Sequence, residues 1–462
     1  MAIIHEEHGI DKAIETRFAC FIKRFKINSI LRYIRADKVK GVAAGKVFSF
    51  LLGLVLTHKN LFATLSGDRG NLSFGKDTVY RFLNRQSTKW EELVPSLASQ
   101  VIPEVSKLTD ENRKNALIID DTSYYRNRSK KVELLSRCRD HSENRYYKGF
   151  TLLTMGWSDG VTFIPVDFRM VASGNDDNLL EGSHVKEDNR TVATRRRKTA
   201  RMEKPALALE MLTRAKGTSA EAKYVLFDSW FSAPKALMEV KGLGYDVVAR
   251  LKDHENYRYL YNGEACSLSQ ILRANKKRPG RSRYLLSVEV AIRHKDFDYT
   301  VAAKIVYVRD RNNAKKWIAF ISTDTTLTEE DIIALYAKRW DIEPFHKVIK
   351  STLRLTREFQ LRSFDGIVAH TALVLTRYTF LSLESRENAD YRSIGELFMA
   401  MCDELADITF AHAFGVLIQL LKQCCSEVVG LSNGYFQIFI DRFMACLPRF
   451  IYKKLQTSVC ES

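Results

Sequence analysis

The chain has 462 residues, and its 72 Lys and Arg against 55 Asp and Glu give a formal net charge of +17. That length exceeds what one ordinary hydrophobic core can organise and predicts two to four domains, while the charge favours a polyanionic partner. None of the eight cysteines lies in a C-x2-C pair, which argues against the usual zinc motifs and indicates the reduced thiols of a cytoplasmic protein. No run of about 18 uninterrupted apolar residues occurs, so we expect no membrane partner.

The N-terminal region combines helical periodicity with an excess of basic residues. Residues 47–56 form an apolar run that predicts a core helix. The first fifty residues hold ten Lys or Arg against five acidic residues, and between residues 23 and 40 the basic side chains alternate with apolar ones. Such a pattern is typical of an amphipathic helix whose charged face either contacts phosphates or is simply solvated.

Two short apolar runs end in aspartate. Residues 116–119 lead into the doublet Asp120-Asp121, and residues 224–227 lead into Asp228. Each run is typical of a buried strand that presents a carboxylate at its end, so the two strands could deliver acids to one cleft. The alternative is that each aspartate is a turn or helix-capping residue.

The residues between these two strands predict a hairpin followed by a polar segment. Residues 151–157 and 161–168 alternate in strand fashion around an Asp-Gly turn, which predicts an antiparallel pair. Residues 173–204 lack apolar periodicity and contain the basic run at residues 195–198. That run is either a solvated loop or a segment that becomes ordered on nucleic acid.

Beyond Asp228 the pattern is again that of strands. Residues 257–308 alternate between polar and apolar side chains, which predicts a β-rich insertion with a basic loop at residues 273–281. A further apolar run, residues 317–322, begins with Trp317. On its own this tryptophan is a candidate core aromatic.

The segment from Tyr336 to Lys350 has the pattern Y-x2-R-x3-E-x6-K. On a regular helix Tyr336, Arg339, Glu343 and Lys350 fall within a sector of roughly 60°. Glu343 offers a hard oxygen ligand for a divalent cation, while the two cations offer phosphate contacts. The alternative is a solvated helix with an incidental ion pair. Because Pro344 interrupts helical hydrogen bonding, we expect the helix either to kink or to restart there, with Asp341 as N-cap.

These motifs, in this order, resemble the bacterial insertion-sequence DDE transposases, whose catalytic domain is RNase H-like, in the subgroup with the tyrosine-arginine-glutamate-lysine signature. The resemblance covers about Asn115 to Ile367 and includes the stretch from Asp228 to Phe231. It implies Asp121 as the first acid, because the family's acid is directly followed by Thr or Ser, here Thr122. Asp120 remains the alternative.

The resemblance also implies the remaining site residues and the cofactor. Asp121, Asp228 and Glu343 are expected to hold two Mg²⁺ ions, for which Mn²⁺ would substitute. The residues expected to contact DNA are Tyr336, Arg339, Lys350, Trp317, Arg250, His346 and Lys347. Among them, Trp317 is expected to stack on a base that is flipped out of the duplex near the cleavage site.

The predicted fold is α/β, with an RNase H-like mixed-sheet catalytic core, a β-rich insertion domain and helical N- and C-terminal regions. The expected boundaries are 1–110 for a helical DNA-end-binding region, 111–251 and 315–385 for the two parts of the core, 252–314 for the insertion domain, and 386–462 for a helical region with a possible dimer contact.

The expected function is metal-dependent cut-and-paste transposition, with terminal inverted repeats and target DNA as partners, a DNA hairpin as intermediate and a homodimer in the complex. We expect it in the bacterial cytoplasm, associated with the nucleoid. The alternatives are a metal-dependent nuclease of the same fold without strand transfer, and a non-catalytic domesticated DNA-binding protein.

Overall fold

A computed structural model of the chain describes residues 12–38, 40–59, 61–67, 74–110, 112–140, 143–279, 282–310, 313, 316–429 and 433–448, together with residues 451 and 455. The N-terminal part is helical. Its helices are α1 (Lys12–Arg24), α2 (Ile27–Tyr33), α3 (Ala44–Leu54), α4 (Leu61–Gly67), α5 (Lys76–Leu83) and α6 (Leu93–Lys107).

The central part alternates strands with helices. Its elements are β1 (Ala116–Tyr125), β2 (Ser136–Asp140), β3 (Arg145–Ser158), β4 (Phe163–Val171), α7 (Val192–Ala200), α8 (Lys204–Ala215), β5 (Tyr224–Phe227), α9 (Pro234–Gly242), β6 (Asp246–Leu251), β7 (Tyr259–Tyr261), β8 (Glu264–Cys266), α10 (Leu268–Ala274), β9 (Leu286–Ile292), β10 (Val301–Arg309) and β11 (Trp317–Ser322). The C-terminal part is helical, with α11 (Glu329–Ala337), α12 (Ile342–Ser351), α13 (Phe364–Glu387), α14 (Ile394–Val429) and α15 (Asn433–Ala445).

The strands form one mixed sheet, and the α/β, RNase H-like fold is confirmed. Its order is β2-β3-β1-β5-β6-β11-β10-β9-β7-β8, with β4 paired to β3. β1 is antiparallel to β3 and parallel to β5, which in turn is parallel to β6. All four residues of β5 are buried, as expected for a central parallel strand covered on both faces.

The predicted hairpin is present as β3 and β4, which pair antiparallel through Ser158 and Phe163. Gly160 in the connecting turn has a φ of 88°, a left-handed conformation that glycine adopts without a steric cost. The local sequence around the turn therefore predicted this pairing correctly.

The β-rich residues 252–314 extend the core sheet instead of forming a sheet of their own. β11 returns antiparallel to β6, and β10 then pairs with the other edge of β11. β9 and β7 continue the sheet outward from β10. The strands join because β11 leaves an unpaired edge of backbone donors and acceptors that the next strand satisfies.

The basic run in the polar segment lies in α7, and two of its arginines are buried. Arg197 contacts Asp365 at 2.6 Å and Glu133 at 2.7 Å, while Arg196 contacts Glu91 at 2.9 Å. Glu133 and Asp365 are themselves fully buried. The expectation that these two arginines are solvated or contact DNA is wrong, because distant carboxylates in the folded chain hold them inside.

The C-terminal helices differ in how they are buried. α13 lies in the core, where Phe380 contacts the rings of Phe18 and Phe21 at 4.5 and 5.3 Å. α14 and α15 instead expose large apolar side chains, among them Met399, Phe410, Val416, Leu417, Leu420, Leu421, Tyr435, Ile438, Phe439 and Phe443. In the part of the chain that the structure describes, α13 and residues 394–425 are long and apolar enough to cross a bilayer, but the apolar stretch of α13 is buried within the protein.

Candidate active site

Asp120 and Asp121 point to opposite faces of the sheet because successive side chains of a strand alternate. Their positions in β1 are opposite Thr154 and Leu153 of β3. The last paired residues of the parallel strands are Ile119 in β1 and Phe227 in β5, so Asp120 stands level with Asp228. Paired positions of adjacent strands share a face, and Asp120 therefore shares a face with Asp228 whereas Asp121 does not.

Arg339 brings Glu343 to this same face. Its Nη1 atom lies 3.3 Å from Asp120 Oδ2 and 3.4 Å from Glu343 Oε1. Arg339 is buried, whereas 46% of the Glu343 side chain is exposed. The three acids that the structure gathers around one face are thus Asp120, Asp228 and Glu343. The expectation of Asp121 as the first acid is not supported by this geometry, because the strand turns its carboxylate away.

The signature segment is not one continuous helix. α11 ends at Ala337, a 3₁₀ turn spans residues 338–341, and α12 begins at Ile342 with Pro344 in its first turn. Of the two expected outcomes, a kink or a restart, the structure shows the restart. Asp341 holds the N-cap position, but its carboxylate accepts a hydrogen bond from Ser158 Oγ at 2.5 Å and does not cap the helix.

Tyr336 and Arg250 also belong to the acid face. The Tyr336 ring packs on Phe320 at 4.5 Å, and Phe320 pairs with Arg250 between β11 and β6. Burial raises the pKa of Tyr336 to about 12, Asp228 adds to that rise, and Arg339 and Arg250 oppose it. Asp228, Arg339 and Arg250 therefore all lie near the phenol of Tyr336.

The carboxyl of Asp120 is in an unfavourable place for a negative charge. Burial raises its pKa to about 7, and Asp121 and Glu343 add to the rise, while the amide of Asp121 and the guanidinium of Arg339 lower it. That amide donates to Asp120 Oδ1 at 2.8 Å. A buried carboxyl beside other carboxylates is a common property of functional sites.

The donor set on this face fits a divalent cation. Carboxylate oxygens are the ligands that Mg²⁺ prefers, and a cation would offset the burial and the neighbouring carboxylates that raise the pKa of Asp120. Among the described residues no three His, Cys, Asp or Glu side chains are arranged to hold a metal as they stand. The guanidinium of Arg339 lies between Asp120 and Glu343, so these carboxylates can converge on an ion only when it turns away.

Asp121 belongs to a second group on the opposite face. Its Oδ2 accepts a hydrogen bond from Lys204 Nζ at 3.0 Å, and the same ammonium lies 4.9 Å from the centre of the Trp230 ring. Sequence reasoning missed Lys204, which carries no local signal. Trp230 had one, since it is an aromatic residue two positions after Asp228.

Lys350 lies between the two groups. Its ammonium is 5.9 Å from the centre of the Tyr125 ring, and Tyr125 alternates onto the Asp121 face of β1. Burial lowers the pKa of Lys350, whereas Asp140, Asp121 and Glu343 raise it. Carboxylates on both faces of the sheet therefore affect the pKa of Lys350.

Trp317 is not brought to the acids. It is separated from Phe320 by three positions on β11 and so points to the opposite face of the sheet. There its ring packs on Tyr307 at 5.3 Å, and the Tyr307 hydroxyl donates to the carbonyl of Leu268 at 3.0 Å. This position supports a packing aromatic and not the expected stacking platform.

The structure separates His346 from Lys347. His346 is buried beside Phe345, and its Nε2 has no hydrogen-bond partner. Burial, with Lys350 and Arg339 adding to the effect, lowers the pKa of His346 to about 3. A buried neutral imidazole offers no charge to a phosphate, so the expectation that His346 contacts DNA is not supported. Lys347 is exposed on α12.

The comparison with protein families agrees with this geometry. The model of the family described as DDE superfamily endonuclease matches residues 57–296, a range that contains the strands bearing Asp120 and Asp228. Comparison with curated proteins gives no match. Since the family match covers more than half of a chain whose sheet gathers two aspartates and a glutamate on one face, the protein belongs to the DDE superfamily of endonucleases.

Proposed function

We propose that the protein is an insertion-sequence transposase of the tyrosine-arginine-glutamate-lysine subgroup, which binds terminal inverted repeats and catalyses cut-and-paste transposition. The observation that carries the proposal is the shared face of Asp120 and Asp228, to which Arg339 joins Glu343. A nuclease site needs the three acids. Tyr336 and Arg250 beside them add the phosphate contacts that hold a DNA end in one place.

Each residue has a defined part in this chemistry. Asp120, Asp228 and Glu343 would hold Mg²⁺, with Mn²⁺ as a substitute. When bound, such ions activate water or a 3′-hydroxyl and stabilise the leaving oxygen of a phosphodiester. When DNA binds, Arg339 releases Asp120 and Glu343 and contacts a DNA phosphate instead, which its planar guanidinium can bind in bidentate fashion. That exchange frees Asp120 and Glu343 at the moment DNA arrives.

The wider proposal follows the resemblance. Cleavage proceeds through a hairpin on the transposon end. The freed transposon strand is then joined to double-stranded target DNA in the bacterial nucleoid. The net charge of +17 supports a polyanionic partner. The exposed apolar side chains of α14 and α15 support a homodimer in the DNA complex, because contiguous apolar surface marks interaction sites.

The test is a cleavage and joining assay. Labelled duplexes carrying the inverted repeats that flank the coding sequence are incubated with the protein, Mg²⁺ and an unrelated target plasmid. We expect nicked ends, hairpin ends and plasmid-joined products, all of them missing with Asp228→Asn. Nicking without joined products would identify a metal-dependent nuclease. Binding without cleavage would identify a non-catalytic DNA-binding protein.

A further inference from the structure

The 3₁₀ turn of residues 338–341 carries Arg339 and leads directly into Glu343, so its placement sets both side chains. A single 3₁₀ turn has few hydrogen bonds, and their geometry is poorer than in an α-helix. Such a turn cannot fix its own orientation against the sheet. Contacts from outside the turn must therefore decide where Arg339 and Glu343 point.

Asp341 provides one of these contacts. An aspartate before a helix commonly caps it, but the Asp341 side chain makes no capping hydrogen bond to α12. Its Oδ2 atom instead accepts from Ser158 Oγ at 2.5 Å, at the end of β3. Ser158 is fully buried, and its hydroxyl also accepts from the amide of Gly160 at 2.9 Å. Asp341 thus ties the 3₁₀ turn to the β3–β4 hairpin.

Lys338 provides a second tie on the other side of Arg339. Its ammonium donates to the carbonyl of Asp159 at 3.1 Å and to the carbonyl of Lys114. The lysine side chain passes so close to Gly160 that a Cβ there would lie 3.1 Å from Lys338 Cε. Arg339 therefore lies between two residues that are both held by the hairpin turn.

The hairpin turn is itself firmly held. Asp159 is buried, and its Oδ1 accepts from the amides of Val161 and Thr162 at 2.9 and 2.7 Å. Its Oδ2 accepts from Thr109 Oγ1 at 2.6 Å and from Arg386 Nη2 at 3.2 Å. Since buried polar groups are costly to leave unpaired, the turn cannot shift without losing these bonds. It is a rigid support for the 3₁₀ turn.

This support shares a face of the sheet with Asp120. Ser158 pairs with Ala116, and Thr154 pairs with Asp120, along β3 and β1. Alternate residues of a strand share a face, and four residues of strand span about 13 Å. The ties of the 3₁₀ turn thus lie on the acid face, within one side-chain reach of the position where Arg339 contacts Asp120.

We propose that Ser158, Lys338 and Asp341 are positioning residues. They fix the 3₁₀ turn to the hairpin so that Arg339 and Glu343 stay on the acid face. None of the three contacts DNA in this role. The inference rests on the proposed function, since its consequence for DNA is a change in the rate of cleavage.

Single-turnover cleavage of an inverted-repeat duplex at saturating Mg²⁺ tests this role. We expect Ser158→Ala to slow cleavage about 10- to 100-fold, because a misplacement of about 1 Å has effects of this size. Affinity for the same DNA, measured by gel shift in EDTA, should change much less than the rate. Lys338→Met should also slow cleavage, because its side chain cannot donate to the two carbonyls.

Asp341 variants test whether the shared hydrogen bond is responsible. Asp341→Ala should cleave slowly, whereas Asp341→Asn keeps an oxygen that accepts from Ser158 and should recover most of the rate. The double variant Ser158→Ala/Asp341→Ala should be no slower than the slower single variant, because both substitutions remove the same bond. A double variant as slow as the product of the two single effects would overturn the coupling. If Ser158→Ala does not fold, the two Asp341 variants decide the question.

Ser136→Ala is the matched control. Ser136 is also fully buried, and its hydroxyl donates to the carbonyl of Leu134 at 3.0 Å and accepts from the amide of Ser173 at 2.9 Å. It lies in β2, and these partners belong to other segments. We expect it to lower the melting temperature about as much as Ser158→Ala and to cleave like the wild type. Equal slowing by both serine variants, or wild-type cleavage by Ser158→Ala, would show that Ser158 has no positioning role.

Fluorine NMR of protein labelled with fluorotryptophan gives a readout that does not depend on cleavage. Trp340 is exposed in the 3₁₀ turn, and the Arg339 guanidinium carbon lies 5.0 Å from its ring centre. We expect Ser158→Ala and Asp341→Ala to shift or broaden the Trp340 signal, assigned with Trp340→Phe, and to leave that of the buried Trp90 unchanged. An unchanged Trp340 signal would overturn the inference. If the wild type cleaves no DNA with Mg²⁺ or Mn²⁺, the proposed function fails, and this signal still decides whether the hairpin positions the turn.

Discussion

Asp120 and Asp121 are consecutive residues of one strand, yet they belong to different sites. Asp120 contacts Arg339 on the face of Asp228 and Glu343, whereas Asp121 contacts Lys204 on the face of Trp230. A strand cannot turn both side chains to one face, so only one member of the doublet can join the other two acids. This division of the doublet leads to the first prediction.

Asn substitutions should distinguish the two aspartates. We expect Asp120→Asn, Asp228→Asn and Glu343→Gln each to reduce cleavage at least about 100-fold while end binding persists, because a metal ion contributes several kcal/mol to the chemical step. Asp121→Asn should cleave at a measurable rate. Cleavage assays in Mg²⁺ give the rate for each variant, and gel-shift assays give its affinity for DNA ends. An inactive Asp121→Asn beside an active Asp120→Asn would show that Asp121, and not Asp120, is the first acid.

Arg339 should compete with metal ions for the acids. In Arg339→Gln the cation between Asp120 and Glu343 is gone, so we expect Mn²⁺ to bind the DNA-free protein about 10-fold more tightly or better. The same variant should bind DNA ends more weakly. Isothermal titration at pH 8 measures the metal affinity, with the exposed Arg392→Gln as a matched control that should behave like the wild type. Weaker Mn²⁺ binding in Arg339→Gln would show that the guanidinium does not occupy the metal position.

Asp120 should make the metal-free protein less stable as pH rises. Its folded pKa of about 7 lies above the value of about 3.9 in an unfolded chain, so its favourable contribution is complete below pH 4 and is lost as pH passes 7. Asp120→Asn cannot ionise. In EDTA at pH 8 we therefore expect this variant to unfold with a higher free energy than the wild type, by on the order of 1 to 4 kcal/mol.

The control for this prediction is the pH itself. Urea titrations at pH 5 should show a smaller difference between the two proteins than titrations at pH 8. Adding Mg²⁺ at pH 8 should stabilise the wild type and leave Asp120→Asn nearly unchanged. A difference that does not depend on pH would mean that the carboxyl of Asp120 titrates normally in the fold.

The buried arginines of α7 should be structural. Arg197→Met leaves Glu133 without its buried arginine and removes one of the two buried arginines that contact Asp365, the other being Arg196. We expect it to cost about 3 to 5 kcal/mol in the free energy of unfolding. Arg195 is exposed on the same helix, and Arg195→Met should stay within about 0.5 kcal/mol of the wild type. Urea unfolding measures both. A stable Arg197→Met protein with weakened DNA binding would return this residue to the DNA-contacting surface.

Local sequence was sufficient where backbone physics acts over a few residues. The Asp-Gly turn and its alternating flanks predicted the β3–β4 hairpin, because glycine accepts the left-handed conformation that the turn requires. Pro344 predicted a kink or a restart at α12, since proline fits only the first turn of a helix. The apolar run at residues 224–227 predicted a buried strand for the same local reason.

The sequence by itself thus determined the fold class, the strands that carry aspartates and the segment that carries Glu343. Only the tertiary structure decided that Asp120 is the aspartate facing that segment. The side of the sheet on which a β1 side chain lies depends on how β1 pairs with β3 and β5, which are far away in the chain. It also decided that Arg196 and Arg197 are buried, since their partners come from three distant segments. Residue type and spacing describe what a side chain can do. Register and burial decide which neighbours it meets, and those depend on the whole chain.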